Sequence, residues 1–203
     1  NDACIDEATV TLTGGLPAGG TYSGVGVVDL GGGMYGFTPA SGDQMITYTY
    51  EDVNGCENTA TEMFTVYPLP TASITETDMS GSTNDDGIIC AGDDAILTAA
   101  GGTMYMWNDA SNSAIAMITV TPAVTTIYTV TVTSANGCTA TDTYTVTVND
   151  LPIAAITVVE TSGNATDDNT ICAGDNVVLT AAGGGTYVWD DANTSTSASI
   201  TVT

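Results

Sequence analysis

Five cysteines and 24 carboxylates are the side chains of this 203-residue chain whose type and spacing invite a chemical reading. Cys4 and Cys56 flank a first stretch, Cys90 and Cys138 flank a second in the same way, and Cys172 opens a third. The chain has no Lys, Arg or His. A cysteine nucleophile therefore has no base to activate it, and Ser-His-Asp chemistry is excluded. The carboxylates fall as adjacent pairs in short repeated loops, not as two acids across a sugar-sized cleft, so glycoside hydrolysis is not expected either. The sequence predicts a protein that is not an enzyme. Its cysteines are expected to form bridges, as paired cysteines do in small secreted modules in an oxidising compartment.

The formal charge is −24. With no cationic side chain, every carboxylate must be answered by water, a backbone N–H or a bound cation. Nucleic-acid binding is excluded, because phosphate contact needs Lys or Arg. An anionic membrane would repel the chain, and no apolar run is long enough to insert into one. The chain opens at Asn1 rather than Met, and the expectation is that an N-terminal part was removed or lies outside this sequence. The recurring acids are candidate Ca²⁺ ligands, since Ca²⁺ takes six to eight carboxylate and carbonyl oxygens. They are Asp85 and Asp86, matched by Asp167 and Asp168; Asp93, matched by Asp175; Asp109, matched by the Asp190–Asp191 pair; and Asp150 at a junction. The alternative is solvated turns, which Asp favours without any metal. Two sequons, at Asn164 and Asn193, are candidate glycosylation sites.

These residues sit in an internal repeat. An offset of 82 lays Cys90 on Cys172, and ICAGDDAILTAAGGTMYMW on ICAGDNVVLTAAGGGTYVW. The same offset lays Leu69-Pro70 on Leu151-Pro152 and Asn54-Gly55-Cys56 on Asn136-Gly137-Cys138. One constant offset through separated landmarks marks tandem duplication. Three modules follow: 1–70, 71–152 and an incomplete 153–203. Leu-Pro pairs form stiff junctions between them. One disulfide per module is expected, Cys4 with Cys56 and Cys90 with Cys138. A partner for Cys172 would fall near position 220 on the same offset.

The elements that carry these residues read as strands. Thr, Val, Ile and Tyr alternate with period two in TIYTVTVT and TATDTYTVTV, and Asn136-Gly137 between them suits a type I′ hairpin. In the second module strands are expected at 71–77, 95–99, 103–107, 114–120, 126–133 and 139–148, with Trp107 as the core anchor. Six or seven antiparallel strands in about 80 residues make an Ig-like two-sheet sandwich the natural solution. The first module's GVGVVDLGGGMYG is read as glycine turns. It has no GK[ST] and no following helix, so it is not a phosphate loop. The fold class is therefore all-β, with tandem Ig-like antiparallel β-sandwich modules.

The quoted strings, the C-A-G-(D/E) starts, the Y-x-V-T-V strands and the N-G-C turns resemble the tandem Ig-like or PKD-like modules of large secreted Bacteroidota proteins. The resemblance spans essentially the whole chain. It implies a cell-surface or extracellular location, export by the type IX system and a scaffold role. The expected function is a non-catalytic structural segment of an extracellular filament, Ca²⁺-stabilised and completed by strands from a neighbouring subunit. The alternative is a spacer or carbohydrate- or surface-binding region of an adhesin. The partners expected are copies of itself in a filament or tandem array, or a glycan or other surface ligand.

Overall fold

The computed structural model describes residues 2–40, 42–81, 83–160 and 170–203. They form seventeen strands and no helix, so the chain is all-β. It divides into two compact units, Asn1–Asn149 and Asp150–Thr203.

The first unit holds two sandwiches. In the second of them, β8 (Ser73–Asp78), β10 (Ala95–Ala100) and β12 (Met117–Val120) form one sheet. The other sheet runs β11 (Met104–Trp107), β13 (Thr126–Thr133), β14 (Thr139–Asn149), β9 (Ile88–Cys90). The period-two pattern sends alternate side chains inward. Ala95, Leu97 and Ala99 of β10 meet Tyr128, Val130 and Val132 of β13, with Ile118, Val146 and Ile89 completing one core. Trp107 lies at its centre with 1% exposure, and its indole Nε1–H donates to the Ile115 carbonyl at 2.9 Å. Burying an indole this fully contributes several kcal/mol, provided its N–H finds an acceptor.

The first sandwich uses the same plan. Strands β1 (Asp2–Cys4), β7 (Glu57–Tyr67), β6 (Gln44–Glu51) and β3 (Thr21–Ser23) form one sheet; β2 (Val10–Leu12), β5 (Met34–Phe37) and β4 (Val27–Gly31) form the other. Its core is smaller: Phe37, Ile46 and Val66. In both sandwiches a three-residue opening strand pairs parallel with the end of the last strand. Cys4 faces Tyr67, and Cys90 faces Asn149. The sequence led to the expectation of antiparallel strands throughout and of none between 77 and 95, so both opening-strand pairings are corrections.

The second unit is a three-stranded sheet, β15 (Ala155–Glu160), β16 (Val177–Ala182) and β17 (Ser199–Val202). These strands stand 82 positions after β8, β10 and β12, with the same pairing: Ala155 opposite Ala182 repeats Ser73 opposite Ala100. Trp189 repeats Trp107, donating to the Ser197 carbonyl at 2.8 Å.

The Asn-Gly turns differ from expectation. Ser134 N–H donates to the Cys138 carbonyl and Gly137 N–H to the Ser134 carbonyl. Positive φ falls on Gly137 alone, at 89°, and not on Asn136. This is the longer hairpin loop with glycine in the left-handed position, not the two-residue type I′ turn.

The inter-module bridge and the acidic loops as candidate functional sites

The disulfide pairing expected from sequence is not the one the structure shows. Cys4 is bonded to Cys138, with an S–S distance of 2.08 Å and a Cα–Cα distance of 5.6 Å. The bridge joins the first sandwich to the second instead of closing either on itself. Strand length explains why. Cys90 lies beside Asn149 at one end of β14, and Cys138 precedes Thr139 at the other, so the 11 residues of β14 separate them. At roughly 3.3 Å per residue that is about 36 Å, against the ~7 Å Cα limit of a disulfide. The 11-residue β7 separates Cys4 from Cys56 in the same way. The opening-strand end of the first sandwich instead meets the hairpin end of the second, which puts Cys4 on Cys138. Cys138 is 1% exposed there. Cys56 is an exposed thiol and Cys90 a half-buried one.

The acidic residues divide into turn formers and one inward-facing group. Asp109 accepts from the Ser113 N–H and hydroxyl, both at 2.7 Å. Asp191 repeats this on Ser195, with both contacts at 2.7 Å. The backbone N–H of the serine is the main cause that lowers each of these carboxyls below its ordinary value. Asp52, which the sequence reading did not single out, caps the first Asn-Gly-Cys turn. It accepts from the Cys56 N–H at 2.8 Å and is lowered chiefly by that contact. Asp86 accepts from Ile88 N–H at 2.9 Å. Asp150 and Asp190 are exposed, and Asp175 donates its N–H to the Cys172 carbonyl in a tight turn. Asp167, Asp168 and Asn164 lie outside the described residues; Asn193 is exposed.

The inward-facing group gathers where the sequence reading did not look. Counting by two from the half-buried Ile74 along β8 brings Glu76 and Asp78 to the same inner face. Asp78 is 3% exposed. Its Oδ1 accepts from Ser80 N–H at 2.9 Å, and its own N–H donates to Asp85 Oδ1 at 3.2 Å. The buried Ser80 hydroxyl donates to Asp93 Oδ2 and accepts from Cys90 N–H, both at 2.7 Å, tying this group to the opening strand. Of the sequence candidates, Asp85 and Asp93 are thus brought to one place. Glu76 Oε2 accepts from Gly87 N–H at 3.0 Å. Burial, then the neighbouring Asp78 charge, pushes the Glu76 carboxyl up to about 7. Glu76 Oε1 and Asp78 Oδ2 are buried without a hydrogen-bond partner. Two carboxylates in contact cannot both stay ionised cheaply, and a proton held by Glu76 resolves the pair. Among the described residues no group of three or more acidic or thiol side chains stands close enough to hold a metal ion.

In the second unit, an open groove of about 560 Å³ runs along Pro152, Ile156, Ala181, Tyr187 and Trp189. It lies over the sheet whose counterpart in the second sandwich is covered by β13 and β14. No helix among the described residues is long and apolar enough to cross a membrane.

No protein-family model matches the chain, and no curated protein does. Among solved structures, the chain is similar to SGBP-B of the Bacteroides ovatus mixed-linkage glucan utilization locus, solved with a mixed-linkage heptasaccharide. The identity is 12% and the TM-score 0.28, over all of this chain and 65% of that one. At that score the likeness carries no argument about fold or ligand.

Proposed function

We propose that this chain is a non-catalytic segment of an extracellular surface protein, a braced spacer of Ig-like modules that carries a binding region elsewhere in the protein. The Cys4–Cys138 bridge supports this reading most directly. It adds nothing within either sandwich, and it fixes one sandwich to the next across their junction, which is what a spacer under tension needs. A disulfide also presupposes an oxidising compartment. The absence of Lys and Arg, with a charge of −24, leaves a self-repelling surface that resists collapse onto anionic cell envelopes. Immunogold labelling of intact producing cells tests the location. Label on unbroken cells is the expected result; label only after permeabilisation overturns it.

A filament of associated copies is the second reading. Electron microscopy of the purified protein separates the two: ordered helical fibres support the filament, and single rods support the spacer.

A further inference from the structure

The repeat leaves two cysteines whose structural counterparts are already bridged. Cys90 occupies the position of Cys4. Each ends a three-residue strand paired parallel with the last strand of its sandwich. Each accepts at its carbonyl, at 3.0 Å, the N–H of the third residue on, Glu7 or Asp93. The residue after each donates its N–H to the strand partner's carbonyl, Ile5 to Tyr67 at 3.0 Å and Ala91 to Asn149 at 2.9 Å. Cys56 occupies the position of Cys138. Each closes an Asn-Gly-Cys loop with the same two backbone bonds: Asp52 N–H to Cys56 and Gly55 N–H to Asp52, matched by Ser134 N–H to Cys138 and Gly137 N–H to Ser134. The residue that begins each loop also accepts the cysteine's N–H, through Asp52 Oδ1 at 2.8 Å and Ser134 Oγ at 3.2 Å.

Cys56 and Cys90 cannot pair with each other within one chain. The Cys4 end of the first sandwich meets the Cys138 end of the second, so Cys56 and Cys90 stand at the two outer ends of the pair. Each stands one 11-residue strand, roughly 36 Å at the strand rise, from the junction where the two sandwiches are bonded.

We propose that Cys4–Cys138 is one rung of a disulfide ladder in which each module's opening-strand cysteine bonds the turn cysteine of the next. Cys90 takes the turn cysteine of the following module, which the 82-residue repeat places near position 220 of the same polypeptide. Cys56 takes the opening-strand cysteine of a module ahead of it. This reassigns the cysteine near 220 from Cys172 to Cys90. Each rung forms by thiol–disulfide exchange: two protein thiols become one disulfide, and two electrons and two protons pass to a disulfide oxidant, which leaves as two thiols.

Peptide mapping of the natural secreted protein, alkylated without reduction, tests this. Trypsin has no site in this chain, so cleavage is at Asp and Glu. That places Cys4, Cys56, Cys90 and Cys138 on four different fragments. The ladder predicts the Cys4 fragment linked to the Cys138 fragment, and the Cys90 fragment linked to an Asn-Gly-Cys fragment from another repeat, both links lost on reduction. Alkylated Cys90 and Cys56, or Cys90 linked to Cys138, would overturn it. On a non-reducing gel the protein should run as a single chain; multimers that collapse on reduction would overturn the assignment to successive modules of one polypeptide.

Discussion

Cys4 and Cys138 are 134 residues apart in sequence and 5.6 Å apart at Cα. The link runs from the last residue of the first sandwich's opening strand to the hairpin loop of the second. The two sandwiches therefore cannot hinge apart at the 68–72 linker without breaking a covalent bond. In loop-entropy terms, a closure of this length constrains the unfolded chain by about 5 kcal/mol. That is comparable to the whole stability of a small domain.

Replacing Cys4 or Cys138 by Ser should lower the denaturation free energy of the full chain by several kcal/mol, with ~5 as the ceiling. Reductant should do the same to the unaltered chain and nothing further to either variant. In the 203-residue chain by itself, without a module ahead to supply a bridge, Cys56→Ser at an exposed loop thiol should change it by less than about 0.5 kcal/mol. Urea titrations with and without reductant read all of these.

Stability should fall as pH rises through neutrality. Glu76 has a folded pKa of about 7 against an ordinary value of 4.5. The native state therefore holds a proton that the unfolded chain releases between those values. Its contribution is complete below pH ~4.5 and gone above pH ~7. The full shift would correspond to about 3 kcal/mol, reduced to on the order of 1–2 by solvent screening of a half-buried group. Glu76→Gln should flatten the melting temperature between pH 5 and 8, since the amide keeps the neutral form. A steeper fall in that variant would contradict the shared-proton account.

The turn carboxylates act with the opposite sign. Asp52, Asp109 and Asp191 are lowered by backbone N–H donors. Their stabilisation is present above the unfolded value near 3.8 and is lost as pH falls through the lower folded value. Asp109→Ala should cost about 1 kcal/mol through the two Ser113 contacts. Asp109→Asn should recover part of that and remove the acid-side dependence, read by thermal melts from pH 5 down to 2.

Calcium should not be required to hold Asp85 and Asp93, which the Asp78 N–H and the Ser80 hydroxyl already engage. Melting temperatures in calcium and magnesium salts at equal ionic strength should agree within error. A rise specific to calcium, abolished by changing Asp85 or Asp93 to Asn, would contradict the assignment of those carboxylates to Asp78 and Ser80.

Much of the fold was legible because its signals are local. TIYTVTVT alternates, and its inward residues Tyr128, Val130 and Val132 are the ones buried. The offset of 82 carried the strands of the second sandwich onto those of the second unit with register intact. The opening strands were missed because three residues hold too little pattern and their parallel partners lie far along the chain. The bridge was mispaired because sequence order shows which cysteines flank a module and not which end of it they occupy. Glu76 and Asp78 were missed because polar residues in a strand read as a solvent face. Period two counted from Ile74 would have turned them inward.

The brace is tested most directly by pulling the chain from its two ends in a single-molecule force experiment, with and without reductant. Oxidised, the stretch between Cys4 and Cys138, a sequence separation of 134, is shielded from the load. Reduction should then lengthen the fully unfolded chain by about 470 Å in total, at ~3.5 Å per residue, as each sandwich gives way in turn. Two separate releases of roughly 170–180 Å each, the signature of bridges inside each sandwich, would contradict the account, as would a contour length indifferent to reductant.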